Sequence, residues 1–277
     1  MRQLAPKQRE IRTDEATIQA AYAAQNEKAP ETVVPGAGRW AHHAALRLRT
    51  YAVCKLLSRG IYVRGAVYYD GFNLYHAIDE LNEPHLKWCN FWKLGELICK
   101  GHATSLTRVA FCSAYFPGDH GKRVRHEAFV QASALVGVVT QLGHTTTEPM
   151  SCRNCPHTWQ QPREKETDIN VALSIMEDAF DDLYDVAFLV TADTDQAATV
   201  KRFKLRFPNK RIINVVPPGR APSKHLADLC HGRVKLKARH LDDCALPAAV
   251  MKQGHRTIFR PPEYAPPNGW VHPDDRP

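Results

Sequence analysis

The segment Ala66-Val67-Tyr68-Tyr69-Asp70-Gly71-Phe72-Asn73-Leu74 sets the tightest limit on what this chain can fold into. An apolar run of β-branched and aromatic residues breaks abruptly into an acid, a glycine and an asparagine. A parallel strand covered by helices on both sides has no polar face, so it reads as continuous apolar sequence until it reaches the rim of the sheet. Here it delivers a carboxylate to that rim. A second break of the same form, Val186-Ala187-Phe188-Leu189-Val190 followed by Thr191-Ala192-Asp193-Thr194-Asp195, lies more than a hundred residues downstream. Two strands that end in acids point to a polyanionic site at one edge of an α/β sheet.

Strand-like and helix-like stretches alternate from residue 64 to about 216, which is the pattern of parallel βαβ units. Strands are expected at 65–69, 107–114, 135–141, 186–191 and 211–216. Helices are expected at 73–81, 90–100, 122–134, 168–180 and 195–206, with a short one near 223–231. Within 168–180, Ile169, Ala172, Leu173, Met176, Ala179 and Phe180 recur at helical spacing, and Thr167 is placed to cap the start. The stretch from His144 to Arg163, rich in Pro, Cys, His and Thr, reads as a loop.

Residues 1–62 read as an N-terminal extension, partly helical or disordered, with helical patterns at 14–28 and 40–58 around a linker from Pro30 to Gly38. One reading leaves this extension outside the working protein, with Val63 as an alternative start. Residues 63–246 form the expected working domain, and 247–277 a proline-rich, loosely ordered tail.

The chain has 277 residues and a formal net charge of +8, which favours a phosphate-rich partner without specifying one. No run of about 18 apolar residues occurs, so no transmembrane helix is expected. The N-terminus, Met1-Arg2-Gln3-Leu4-Ala5-Pro6-Lys7, lacks the apolar stretch of a secretory signal. The eight cysteines, without such a signal, read as reduced thiols of a cytoplasmic protein.

In an open α/β sheet, ligands bind beyond the carboxyl ends of the strands, where strand order reverses. Asp70 stands at the end of the first strand, Asp193 and Asp195 at the end of the fourth, and Asp168 in the first turn of the helix before it. A lone acid at a strand end is usually a cap or a turn former. Four acids on one rim are harder to explain that way, because clustered carboxylates repel and lose hydration unless a cation neutralises them. Oxygen ligands suit Mg²⁺ or Mn²⁺, which also bind phosphate oxygens and acidify a bound water. Asn73 can reach a neighbouring carboxylate or a phosphate without adding charge, and Gly71 permits close approach of backbone to ligand.

Tyr69-Asp70-Gly71-Phe72-Asn73-Leu74-Tyr75, Lys165-Glu166-Thr167-Asp168 and Thr191-Ala192-Asp193-Thr194-Asp195 resemble, in order and spacing, the three motifs of the NYN domain family of the PIN-like nuclease superfamily. The resemblance covers residues 64–216. It implies a PIN-like (Rossmannoid) three-layer α/β sandwich around a central, mainly parallel sheet, and a metal-dependent ribonuclease acting on RNA. It further implies that Asp70, Asp168, Asp193 and Asp195 hold Mg²⁺ or Mn²⁺, with Asn73 beside them among the catalytic residues. The third motif departs from the usual Ser-Gly-Asp. Thr191 keeps the hydroxyl, but Ala192 puts a methyl group where the backbone is expected to be tight.

Cys152-Arg153-Asn154-Cys155 with His157 has the spacing of half a zinc site, and His144 is the nearest fourth ligand for a structural Zn²⁺; paired free thiols in a polar loop are the plainer reading. Lys122, Arg123 and Arg125 follow the second strand, and Lys165 precedes Asp168 by three residues; all four are candidates for RNA contact or for simple charge pairing. The basic run from Lys201 to Arg211 contains Phe203 and Phe207, whose four-residue spacing favours a buried helix face over a base-stacking platform. RNA is the expected partner, no membrane is expected, and self-association into a homo-oligomer stays open. Two rivals remain. One is a catalytically silent RNA-binding or scaffolding protein of the same fold. The other is a phosphatase using the first-strand acid as nucleophile, but Phe72 occupies the place where that chemistry expects a second acid.

Overall fold

The computed structural model describes residues 62–276, apart from Pro117. The N-terminal helical patterns at 14–28 and 40–58 and the linker between them lie outside the described residues. Six strands form one parallel sheet: β1 (Arg64–Asp70), β2 (Ser105–Ser113), β3 (Val139–Leu142), β6 (Val186–Val190), β7 (Arg211–Val216) and β8 (Gly232–Lys235). A separate antiparallel pair, β4 (His144–Ser151) and β5 (Thr158–Lys165), stands between β3 and β6 in the chain. The large sheet runs in the order β3-β2-β1-β6-β7-β8. The chain therefore winds outward from β1 to β3, returns to the centre, and winds the other way from β6. The strand order reverses between β1 and β6, and that is where a crevice opens in such a sheet.

Alternation along the strands sends side chains to two separate cores, as the pleat requires. Val67 and Tyr69 of β1 pack with Val109 and Phe111 of β2 beneath α1 (Gly71–Asp79), α2 (Phe91–Cys99) and α3 (His120–Leu135). Ala66 and Tyr68 face the opposite way, against α4 (Thr167–Phe180), α5 (Ala197–Arg206) and α6 (Lys224–Leu229). The result is the expected three-layer α/β sandwich. Phe203 is fully buried in the second core with Phe207 packed beside it, as their spacing suggests.

Four local expectations change. The stretch read as a loop from His144 to Arg163 is largely the β4–β5 hairpin, paired from His144↔Lys165 at its foot to Ser151↔Thr158 near its tip. Helix α4 is not capped by Thr167. Its N-cap is Glu166 in the left-handed region at φ 77°, while the Thr167 N–H donates to Glu164 Oε1 at 2.6 Å. The third strand starts later, at Val139, and β8 adds a sixth strand.

The proline-rich segment beyond Pro247 is not loosely ordered. Trp88 Nε1 donates to the Pro247 carbonyl at 2.8 Å, and Val250 and Tyr264 are buried in the first core. A short pair, β9 (Ala249–Val250) with β10 (Ile258–Phe259), belongs to this region, and α7 (Ala238–Asp242) precedes it. Among the described residues no helix is long and apolar enough to cross a membrane.

Candidate active site

Because every strand of the large sheet is parallel, all their carboxyl ends lie on one edge. Asp70 is the last residue of β1 and only 2% exposed. It caps α1: its Oδ1 accepts the Asn73 N–H at 3.0 Å, which satisfies a donor the helix start would otherwise leave unpaired. Its Oδ2 accepts the Thr191 hydroxyl at 2.7 Å, across the β1–β6 crevice. Burial pushes the Asp70 carboxyl up to about 6; the nearby charges of Asp168 and Asp193 add to the rise, and the Asn73 and Thr191 hydrogen bonds oppose it.

The Thr191 side chain ties two acids together, because its Oγ1 also accepts the Asp193 N–H at 3.0 Å. Asp193 caps the 3-10 turn Thr194–Gln196, accepting the Asp195 N–H at 3.0 Å. The Asn73 side chain, unlike its backbone N–H, turns to the loop after β6 rather than to a carboxylate. Its Oδ1 accepts the Ala192 N–H at 2.9 Å, tethering the loop after β6 to α1. That contact fixes the amide orientation, since a backbone N–H can be met only by the carbonyl oxygen. Ala192 is half-buried and lies outside the positive-φ region, so this loop makes no demand that only glycine meets.

Asp168 lies exposed in the first turn of α4, and partial desolvation together with the charges of Asp193 and Glu164 holds its carboxyl above the usual range. Gln196, buried beneath the turn after β6, donates from Nε2 to the Asp168 carbonyl at 2.9 Å and accepts from Thr199. Asn214 of β7 donates to the Thr191 carbonyl at 2.9 Å. Thus Thr191, Gln196 and Asn214 hold the loops that carry the acids. Only Thr191 was singled out from the sequence. A lone amide inside Ile212-Ile213-Asn214-Val215-Val216 was the signal for Asn214, while nothing marked Gln196.

The charge balance separates these acids from others in the fold. Asp178, also buried, is held by Arg108 at 3.1 Å and by the Tyr68 hydroxyl at 2.8 Å. Among the described residues, none of Asp70, Asp168, Asp193 and Asp195 forms an ion pair with Lys, Arg or His. The donor set is all oxygen, mutually repulsive and unneutralised, which suits a hard divalent cation. The side chains do not already stand as a finished metal cage, however. No three His, Cys, Asp or Glu groups among the described residues lie close enough together to hold an ion.

The same finding bears on zinc. Cys152, Cys155 and His157 sit at the tip of the β4–β5 hairpin, where His157 stacks on Trp159 at 5.7 Å between ring centroids. His144 starts β4 at the foot, roughly 20 Å or more away for a strand of this length, and its Nδ1 pairs with Glu166 at 3.1 Å. The fold does not bring the four expected zinc ligands together.

Of the expected RNA contacts, Arg123 pairs with Glu127 at 2.8 Å, Arg125 with Glu263 at 2.9 Å and Lys165 with Glu148 at 2.8 Å. Lys122, in the first turn of α3, has no carboxylate at ion-pair distance among the described residues and lies 5.8 Å from the Phe116 ring centroid.

An open parallel sheet with unneutralised carboxylates at its switch point defines an α/β protein of nuclease-like fold. The family profile of the NYN domain matches residues 64–236, well over half of the chain, and the chain belongs to that family, within the PIN-like nuclease superfamily. Among solved structures, a protein of unknown function from Vibrio parahaemolyticus RIMD 2210633 is similar over 67% of this chain and 97% of its own, at 19% identity and a TM-score of 0.41, too distant to carry an argument. No curated protein matches this sequence.

Proposed function

We propose that the protein is a divalent-cation-dependent ribonuclease that hydrolyses RNA phosphodiester bonds at the β1–β6 crevice. The observation that carries this reading is the set of four acids at the switch point that, among the described residues, form no ion pair with a base, one of them buried with its carboxyl raised to about 6. Mg²⁺ or Mn²⁺, held by Asp70, Asp168, Asp193 and Asp195, would neutralise these charges, screen the scissile phosphate and supply a more acidic water. The Thr191 hydroxyl and the Asn73 backbone N–H hold Asp70 in its ionised form against the effect of burial. The Asn73 amide holds the Ala192 loop, and with it Asp193, against α1. Lys122, with no carboxylate at ion-pair distance among the described residues, is the candidate phosphate contact on the β2 side of the rim.

One finding favours the silent RNA-binding rival, namely that the acids are not already assembled around a point. A single assay decides. Labelled RNA is incubated with purified protein in Mg²⁺ or Mn²⁺, with Asp70→Asn and Asp193→Asn in parallel. Cleavage lost in both variants supports the ribonuclease. Cleavage that survives both substitutions would belong to a contaminant and removes the assigned site, and retention of RNA without cleavage favours the rival.

A further inference from the structure

A cavity of about 450 Å³ lies on the first-core side of the sheet, beside the acidic rim. Its wall begins one residue after Asp70, at Gly71 and Phe72, and continues along Ser113 and Ala114 at the carboxyl end of β2. β2 is the neighbour of β1 on the side away from β6, so the cavity and the crevice share Asp70's end of β1. Its size falls within the range of pockets that hold one small ligand, roughly 300–1,000 Å³.

Phe72, Tyr75, Phe116 and Tyr264 give the cavity aromatic faces. Phe116 is 37% exposed and stands toward solvent, with Lys122 Nζ 5.8 Å from its ring centroid. Lys87 Nζ lies 4.8 Å from the Tyr75 ring centroid but is already paired with Asp79. No Asp or Glu lines the cavity, although the rim next to it is strongly acidic. Apart from His76 and the two lysines, the polar groups inside are few. The Ser113 hydroxyl and His126 Nε2 are 3.3 Å apart, burial lowers the His126 imidazole to about 4 so that it stays neutral, and Gln161 reaches in from the hairpin. Ring faces, a few neutral hydrogen-bonding groups and the Lys122 ammonium beside Phe116 match a flat heteroaromatic group on an anionic backbone. An apolar peptide has no use for that cation. A duplex offers no free base, whereas single-stranded RNA is read by splaying its bases onto aromatic side chains.

We propose that this cavity receives one unstacked base of a single-stranded RNA, at a fixed offset from the phosphodiester held at the acidic rim. The proposal rests on the ribonuclease reading for the identity of the polymer. Tyr264 lies beyond the family match at residues 64–236, so the subsite is completed by the proline-rich segment that follows.

The test uses a single-stranded RNA cleaved at one defined bond, with an abasic nucleotide placed at each position in turn. One offset is expected to lower kcat/KM about tenfold, the scale of one lost base–aromatic stack, with other positions within about twofold. Phe116→Ala and Tyr75→Ala should cause a comparable loss on intact RNA and erase the abasic effect, with unchanged melting temperatures showing that both fold. In parallel, Asp193→Asn protein in EDTA is titrated with the same RNA series, which reads base dependence in Kd without cleavage. Cleavage with equal sensitivity at every position, or unaffected by both aromatic substitutions, overturns the base subsite and leaves the ribonuclease standing. Binding that depends on one base and on Phe116, with no cleavage by the wild type, upholds the subsite and overturns the ribonuclease. RNA that is neither bound nor cleaved overturns both.

Discussion

Replacing Asp70 by Asn should stabilise the metal-free protein at neutral pH, although it removes a residue assigned to the site. Asp70 is buried with its carboxyl raised from 3.8 to about 6. A group whose folded-state pKa lies above its unfolded one contributes stability that is complete below the unfolded value and is lost as pH rises through the folded value. A shift of about two units at 1.36 kcal/mol each makes the ionised Asp70 a burden of about 3 kcal/mol above pH 6. Asparagine removes that burden but has one acceptor oxygen where the carboxylate uses two, for the Asn73 N–H and the Thr191 hydroxyl. The lost hydrogen bond costs about 1–1.5 kcal/mol. The net gain at pH 7.5 is about 1–2 kcal/mol, roughly 2–8 °C in Tm for a domain of this size. Urea unfolding in EDTA at pH 4 and pH 7.5 checks it. The variant should be equal to or weaker than the wild type at pH 4 and stronger at pH 7.5. Added Mg²⁺ should raise the wild type at pH 7.5 more than the variant. A variant weaker by the same amount at both pH values refutes the reasoning, because Asp70 would then carry no ionisation burden.

Two further outcomes concern the scaffold. In Gly71→Ala the new Cβ would lie 2.7 Å from the Phe111 ring and still closer to the Cys112 carbonyl, so unfolding in urea should show a loss of about 3 kcal/mol, or the variant should fail to accumulate in soluble form; a wild-type midpoint would contradict the close approach. Truncation after Leu246 removes buried Val250 and Tyr264 and the acceptor of Trp88, so thermal melts should show a loss of about 3–5 kcal/mol, whereas a loosely held tail would leave the melt unchanged.

The readable parts of the fold were those in which burial writes a simple pattern. β1, β6 and β7 are buried along nearly their whole length, so their apolar runs stop where the sheet edge begins. β8 lies at the sheet edge with alternating partial exposure and carries Arg233 and Lys235, which hides it among polar sequence. The β4–β5 hairpin packs chiefly against itself, has no fully buried residue, and carries Pro149 and Pro162, so neither hydrophobic alternation nor strand propensity marks it. In the site, the acids were legible because strand ends are legible. The hydrogen bonds that hold them were not, since the Asn73–Ala192 and Gln196–Asp168 contacts span 119 and 28 residues of sequence and follow from tertiary packing.

The acids of the rim differ in what the fold itself asks of them. Asp193 starts the 3-10 turn after β6, so selection for folding favours keeping it, whereas at Asp70, whose buried charge costs stability, an asparagine could cap α1 as well. The Asp195 side chain is exposed and makes no hydrogen bond or ion pair among the described residues, so selection for folding alone would let it drift. On the ribonuclease proposed above, related sequences that keep Asp193 but lose Asp195 would be the ones held by folding alone.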